Sequence, residues 1–255
     1  MSALDRAFLA VPLAHRALHD VSDGRPENSR SAIVAAIDHG YGLEIDLQLS
    51  RDGAAMVFHD YDLKRLTGVS GAVQQRDAAA LEQVQLSGGQ EGIPGFSEVL
   101  SLVAGRVPML VELKDQHGQM GVTDGRLEAA TAQALTDYGG PVAVMSFNPE
   151  MVAKMAVLAP DVPRGLVTCG YPQRDWSLLR PDVRDRLRNI PDYDRVGATF
   201  ISHQASDLGR PRVAALKARG AKVFCWTIRS PQDEAEARQV ADNVTFEGYL
   251  AAVPA

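Results

Sequence analysis

Cysteine is nearly absent from this chain, and long runs of one charge are missing altogether. Two cysteines in 255 residues, Cys169 and Cys225, are too few and too isolated for a disulfide framework or a zinc cluster. Cys225 lies in an apolar strand pattern and is read as a small buried hydrophobe. No lysine and arginine run could track a phosphate backbone, and the net charge of −6 likewise argues against a general nucleic-acid binder. A small anionic substrate stays possible, because a metal and one or two local cations can dominate the field in a cleft. No apolar run approaches membrane-spanning length, and residues 1–14, interrupted by Asp5 and Arg6, are too broken for a secretory signal. The expectation is a cytoplasmic protein without stable membrane insertion. Low-complexity linkers and internal repeats are also lacking, so residues 1–255 are expected to form one α/β barrel-sized domain.

What is present is most ordered between residues 42 and 60. From Gly42 to Leu49 the alternation is strict, with Leu43, Ile45, Leu47 and Leu49 on one parity and Gly42, Glu44, Asp46 and Gln48 on the other. That is a strand with one greasy and one polar face. Glu44 and Asp46 then project side by side, close enough to share a hard cation. Taken alone, the pair is equally well the wet face of a half-solvated strand. After a turn at Arg51-Asp52-Gly53 the chain runs extended through Met56-Val57-Phe58 to His59-Asp60, which brings an imidazole back towards the carboxylates.

Strand and helix patterns alternate along the rest of the chain. Strands are expected at 8–14, 42–49, 109–114, 142–147, 165–168, 198–202, 222–228 and 243–246. Helices are expected from 26–29 through His39, and at 96–103, 125–138, 149–158, 211–219 and 231–239, three of them opening on proline, which suits a first turn. Eight strands alternating with helices predict a closed (β/α)8 TIM-type barrel, with a doubly wound open sheet as the alternative. Residues 61–105 are less regular and form a small insertion after the second strand.

Catalytic groups of such barrels come from the C-terminal strand ends and the loops that follow. His15 and Arg16 end the first strand, Glu44 and Asp46 lie on the second, and Glu112 and Lys114 end the third on one shared face. Three carboxylates suit calcium or magnesium, and the all-oxygen set disfavours zinc. Two imidazoles can serve as base and acid, and Arg16 and Lys114 suit phosphoryl oxygens. Together these types spell metal-assisted phosphodiester cleavage. Phe147 and Trp226, at later strand ends, either wall the pocket or pack ordinarily. Asn28 is a helix cap first. His19, His39 and His117 are expected as solvated residues, and His203 as a surface residue after its strand. The loop 115–124 is a candidate lid or a mobile loop without a role.

His15-Arg16, Pro26-Glu27-Asn28-Ser29, Glu44-x-Asp46, Asp52-Gly53, His59-Asp60, Leu63-x-Arg65-x-Thr67-Gly68, Ile93-Pro94, Glu112-x-Lys114 and Trp226-Thr227, in that order, resemble the glycerophosphodiester phosphodiesterases. The resemblance spans nearly the whole chain and is strongest over 14–114. It implies a (β/α)8 barrel with an insertion after the second strand, and hydrolysis of a small-molecule glycerophosphodiester to an alcohol and glycerol 3-phosphate. It further implies Glu44, Asp46 and Glu112 as ligands of one divalent cation, Mg²⁺ or Ca²⁺. His15 and His59 become the acid–base pair, Arg16 and Lys114 phosphate contacts, and Glu27 a residue facing the site. Three departures stand out: Ala17 where the family usually has glycine, a longer link through residues 18–25, and Thr245-Phe246-Glu247 where many members have Thr-Asp. They bear on substrate preference more than on reaction type. The alternatives are a lysophospholipid- or phospholipid-directed phosphodiesterase of the same barrel type and a non-catalytic glycerophosphodiester-binding barrel.

Overall fold

The computed structural model describes residues 3–253. Eight parallel strands close into a barrel: β1 (Leu13–Ala14), β2 (Gly42–Leu49), β4 (Met109–Leu113), β5 (Val142–Ser146), β6 (Arg164–Thr168), β7 (Phe200–Gln204), β8 (Lys222–Ile228) and β9 (Asn243–Phe246). Closure is made where β1 pairs with both β2 and β9. A short β3 (Ala55–Val57) lies antiparallel on β2. Around the strands run α1 (Ala7–Ala10), α2 (Arg30–Asp38), α3 (Lys64–Thr67), α4 (Ala78–Leu81), α5 (Phe96–Val103), α6 (Arg126–Leu135), α7 (Pro149–Leu158), α8 (Pro181–Arg188), α9 (Pro211–Ala218) and α10 (Pro231–Ala237). Among the described residues, no helix is long and apolar enough to cross a membrane.

Side-chain chemistry at helix starts explains where the helices begin. Ser29 Oγ accepts the Ala32 N–H at 3.1 Å to cap α2, and Asn148 Oδ1 accepts the Glu150 N–H at 2.9 Å to cap α7. Proline opens α7, α8, α9 and α10, where its missing N–H has no bond to lose. Helix α8 was not expected: its sequence, PDVRDRLR, carries only two apolar side chains, too few to mark a buried stripe.

The barrel interior divides into an apolar bottom and a polar top. Phe8, Leu13, Leu110, Ala143, Phe200 and Phe224 fill the bottom. Residues 8–14 are therefore not the single strand that was expected. Phe8 sits on α1 as a plug, stacked 6.4 Å from Phe224, and only two residues beyond Pro12 enter the sheet. Asn243 holds the plug by donating from Nδ2 to the Phe8 and Val11 carbonyls at 2.8 and 2.7 Å.

Every residue of β2 is buried, which corrects the half-solvated reading of its polar face. Leu43, Ile45 and Leu47 point outward into the strand–helix layer with Ile33, Val99 and Leu127. Their polar alternates point into the barrel. The segment between β3 and α5 folds over its own cluster of Phe58, Leu63, Val73, Leu81, Leu86 and Ile93. Helix α5, although inside the 61–105 span, packs on α2, β3 and α6 as a barrel helix.

Two inward glycines make the bottom layer possible. A Cβ on Gly42 would lie 2.5 Å from the Leu13 side chain, and one on Gly165 would lie 2.3 Å from the Phe200 ring. The Phe200 ring is fully buried and tilted 5.1 Å from Phe224, so it has nowhere to move. Gly165→Ala should therefore destabilise the fold by about 1–3 kcal/mol, the usual cost of overpacking. Urea midpoints measure this, and adding Phe200→Leu should recover part of the loss; an unchanged midpoint in Gly165→Ala contradicts the packing account.

Candidate active site

The register of β2 against β4 assembles the acidic centre. Asp46 pairs with Glu112, so both point into the barrel beside Glu44. One carboxylate oxygen from each lies within 4.8 Å of the others, and all three residues are buried. Lys114 reaches among them, with Nζ 2.6 Å from Asp46 Oδ1 and 2.9 Å from Glu112 Oε1. Burial works against the Asp46 charge, but Lys114, His59 and Arg16 outweigh it and hold that carboxyl far below its usual range. Burial, with the charges of Asp46 and Glu112 adding to it, pushes the Glu44 carboxyl well above its ordinary value. Burial also opposes the Lys114 charge, yet Asp46 and Glu112 keep the ammonium firmly protonated. Three carboxyl groups thus face two cations, Lys114 and Arg16, whose Nε lies 3.8 Å from Asp46 Oδ2, in one buried cluster. An all-oxygen donor set of this spacing fits a hard divalent cation.

The loop after β1 bends sharply over this centre. Arg16 and Ala17 are both left-handed, at φ 52° and 64°. The expected departure at Ala17 thus falls where a side chain costs most and glycine least. The bend turns the Arg16 N–H onto Glu44 Oε2 at 3.0 Å and its carbonyl onto the Asn28 N–H at 2.8 Å. Asn28, also left-handed at φ 59°, donates from Nδ2 to Asp46 Oδ2 at 2.9 Å. It orients a candidate ligand and does not cap α2; Ser29 does.

Both expected imidazoles are present and similarly held. His15 Nδ1 lies 2.5 Å from Glu247 Oε2, and His59 Nδ1 lies 2.6 Å from Asp60 Oδ1. A carboxylate at Nδ1 places the proton there and leaves Nε2 as the reactive nitrogen. Both rings line one cavity of about 200 Å³ together with Glu44, Glu112, Lys114 and Arg16. Burial lowers the His15 pKa against the pull of Glu247. The hydrogen bond to His15, aided by the nearby His19 ring, keeps the Glu247 carboxyl far below its usual range.

The chain has known relatives. The model of the glycerophosphoryl diester phosphodiesterase family matches residues 15–244. The chain belongs to that family. It is 27% identical over 233 residues to a glycerophosphodiester phosphodiesterase of Caldanaerobacter subterraneus, covering 87% of this chain and 86% of that protein. An Oleispira antarctica phosphodiesterase, solved with the product sn-glycerol-3-phosphate, has the same fold at TM-score 0.76 and 24% identity, with 94% of each chain covered. A glycerophosphodiester phosphodiesterase of Thermotoga maritima does too, at TM-score 0.70 and 18% identity, over 92% of this chain and 94% of that one. The enzyme is thus a phosphoric diester hydrolase built on a TIM barrel.

Within this phosphodiesterase, Phe147 and Trp226 line the cavity as ring neighbours 5.6 Å apart and nearly perpendicular. Trp176, from the loop after β6, stands 4.9 Å from Phe147 and extends the aromatic cluster. Residue Glu247, regarded above only as a departure, is the partner of the His15 ring. Its signal was parity: two residues beyond the inward Thr245 on β9, it points the same way. His19 is not a freely solvated residue, since its Nε2 lies 3.6 Å from Glu247 Oε2. His203 is not at the surface either; it is fully buried, its Nδ1 2.7 Å from Thr168 Oγ1, because its parity turns it out of the barrel into the helix layer. His39 and His117 are exposed as expected. The first part of the loop 115–124 is pinned, with Asp115 accepting from Asn148 Nδ2 at 3.0 Å and from the Met120 N–H at 2.9 Å.

A chain of ion pairs joins the two histidine loops. Arg16 Nη1 donates to Glu27 Oε1 at 2.8 Å, Arg65 Nη1 donates to Glu27 Oε2 at 2.9 Å, and Arg65 Nε donates to Asp60 Oδ2 at 2.6 Å. Against the cost of burial, His59 and Arg65 hold the Asp60 carboxyl far below its ordinary value, and Arg65 and Arg16 hold Glu27 below its own. Both carboxyls are depressed, so their stabilisation is complete above the unfolded pKa near ~4 and fades as pH falls below it. Arg65 is half-exposed, which screens the pairs. Arg65→Met should cost about 1 kcal/mol at neutral pH, with the difference shrinking on acidification. Urea unfolding on either side of the carboxylate range tests this; a difference that grows in acid contradicts it.

Proposed function

We propose that this enzyme hydrolyses glycerophosphodiesters to an alcohol and glycerol 3-phosphate, using one divalent cation, magnesium or calcium, and the pair His15 and His59. The observation that carries the reading is the convergence of two carboxylate-held imidazoles and a buried carboxylate triad on one cavity. Glu44, Asp46 and Glu112 hold the cation. A cation there supplies Lewis-acid polarisation of a phosphoryl oxygen and offsets developing negative charge.

Arg16 and Lys114 bind phosphoryl oxygens, Arg16 with a buried Nε that lies 3.8 Å from Asp46 Oδ2 and has no hydrogen-bond partner in the described protein. One imidazole accepts at Nε2 the proton of the attacking hydroxyl; water gives glycerol 3-phosphate directly, whereas the glycerol 2-hydroxyl gives a cyclic phosphate that a water then opens with the roles of the two rings exchanged. The other donates its proton to the leaving alkoxide. Glu247 and Asp60 stabilise whichever ring becomes cationic.

Loop tips favour keeping one second reading, a lysophospholipid-directed phosphodiesterase. Val21, Val122 and Leu178 stand 60%, 86% and 87% exposed on loops that follow β1, β4 and β6, at the end of the barrel where the site opens. Turnover of micellar lysophosphatidylcholine well above that of soluble glycerophosphocholine favours this second reading.

Glycerol 3-phosphate release from glycerophosphocholine and glycerophosphoethanolamine should vanish with EDTA and return with added magnesium or calcium. His15→Ala and His59→Ala should each lower kcat by about 10²–10⁴-fold with the fold intact by circular dichroism. Activity retained in both variants sinks the assignment.

A further inference from the structure

Five side-chain polar atoms of the described chain are buried without any hydrogen-bond partner, and three of them belong to residues lining the active-site cavity. One is Arg16 Nε. The others are Ser202 Oγ and Thr245 Oγ1, on residues 0% and 1% exposed. Buried hydroxyls almost always find a partner, and leaving one unpaired is costly. A neighbouring strand's carbonyl can serve, as Leu113 does for Ser146 Oγ at 2.7 Å. None does so for Ser202 or Thr245, whose side chains point into the barrel. Ser202 stands two residues beyond Phe200 on β7, and Thr245 two beyond Asn243 on β9, directly above the apolar plug.

We propose that Ser202 and Thr245 form the glycerol-binding floor of the cavity, reading the two free hydroxyls of the glycerol end of the diester. The inference rests on the phosphodiesterase reading above and adds the residues that select and orient the substrate. Each side chain offers one donor hydrogen and acceptor lone pairs, which matches the complement of an alcohol hydroxyl. Apolar Met145 and Val167 line the same cavity and suit a carbon backbone. Trp226 Nε1 donates to the Ser202 carbonyl at 3.0 Å, fixing the indole against this floor.

The orientation of the diester follows. With glycerol at the floor and phosphate beside Arg16 and Lys114, the second alcohol points to the mouth. There Trp226, Thr227 and Arg229 are shared between the cavity and an outer groove of about 640 Å³, which also carries Gln204, Ser206 and Glu236. A polar groove three times roomier than the inner cavity accommodates varied head groups. Selectivity is thus concentrated on the glycerol end.

The test compares calorimetric binding of glycerol 3-phosphate and n-propyl phosphate, which has the same phosphate and no free hydroxyl. Wild type should prefer glycerol 3-phosphate. Ser202→Ala and Thr245→Val should each weaken glycerol 3-phosphate about three- to tenfold, leaving n-propyl phosphate unchanged. Their melting temperatures should stay level or rise, since an unpaired buried hydroxyl is removed; a merely structural role would lower them. A wild type without preference, or a double variant that keeps it, overturns the proposal. So do variants that weaken both ligands alike. Hydrolysis of glycerophosphocholine by wild type, run in parallel, reads the proposed reaction separately from the proposed floor.

Discussion

Three carboxylates crowded into the interior of a barrel repel one another, and the rest of the site is arranged around that repulsion. A pair of unit charges 4 Å apart costs about 4 kcal/mol at an effective dielectric of ~20. Lys114 offsets part of this directly, and Asn28 and the Arg16 N–H offset part through hydrogen bonds. What they leave uncompensated is centred on Glu44, the one member that Lys114 does not bridge and whose ionisation is opposed by burial. A fold that tolerates such a cluster on fully buried strands has accepted a stability cost for function.

The barrel divides this labour by height. Below, aromatic rings and two inward glycines give a rigid, close-packed bottom. Above, the same strands change to charged and hydroxyl side chains within one or two residues. Gly42 precedes Glu44 on β2, and Phe200 precedes Ser202 on β7. The segment after β3 then contributes Arg65, which binds both Glu27 from the first loop and Asp60 beside His59. That segment is small, yet through one guanidinium it ties the two imidazole-bearing loops into one electrostatic unit.

Much of this was legible in the sequence because strand parity carries direction. The alternation 42–49 placed Glu44 and Asp46 on one face, and Glu112 and Lys114 followed by the same rule. Parity does not tell water from a barrel interior, since both accept polar side chains; hence the half-solvated reading of β2. It also misled where the register was unknown, as with His203, whose odd step turns it outward, and Phe8, which Pro12 separates from the sheet. Helix α8 escaped notice because arginine and aspartate dominate it. The partnership of Glu247 with His15 joins residues 232 positions apart, which no local pattern can reveal. The unpaired hydroxyls of Ser202 and Thr245 are likewise a property of what surrounds them.

The account turns on whether the buried triad is a cation site, and calorimetric titration of magnesium and calcium into chelator-stripped protein tests that most directly. It predicts a single saturable site per chain in wild type and its loss in Asp46→Asn. Absence of saturable binding in folded wild type, or equal binding by the variant, would contradict it.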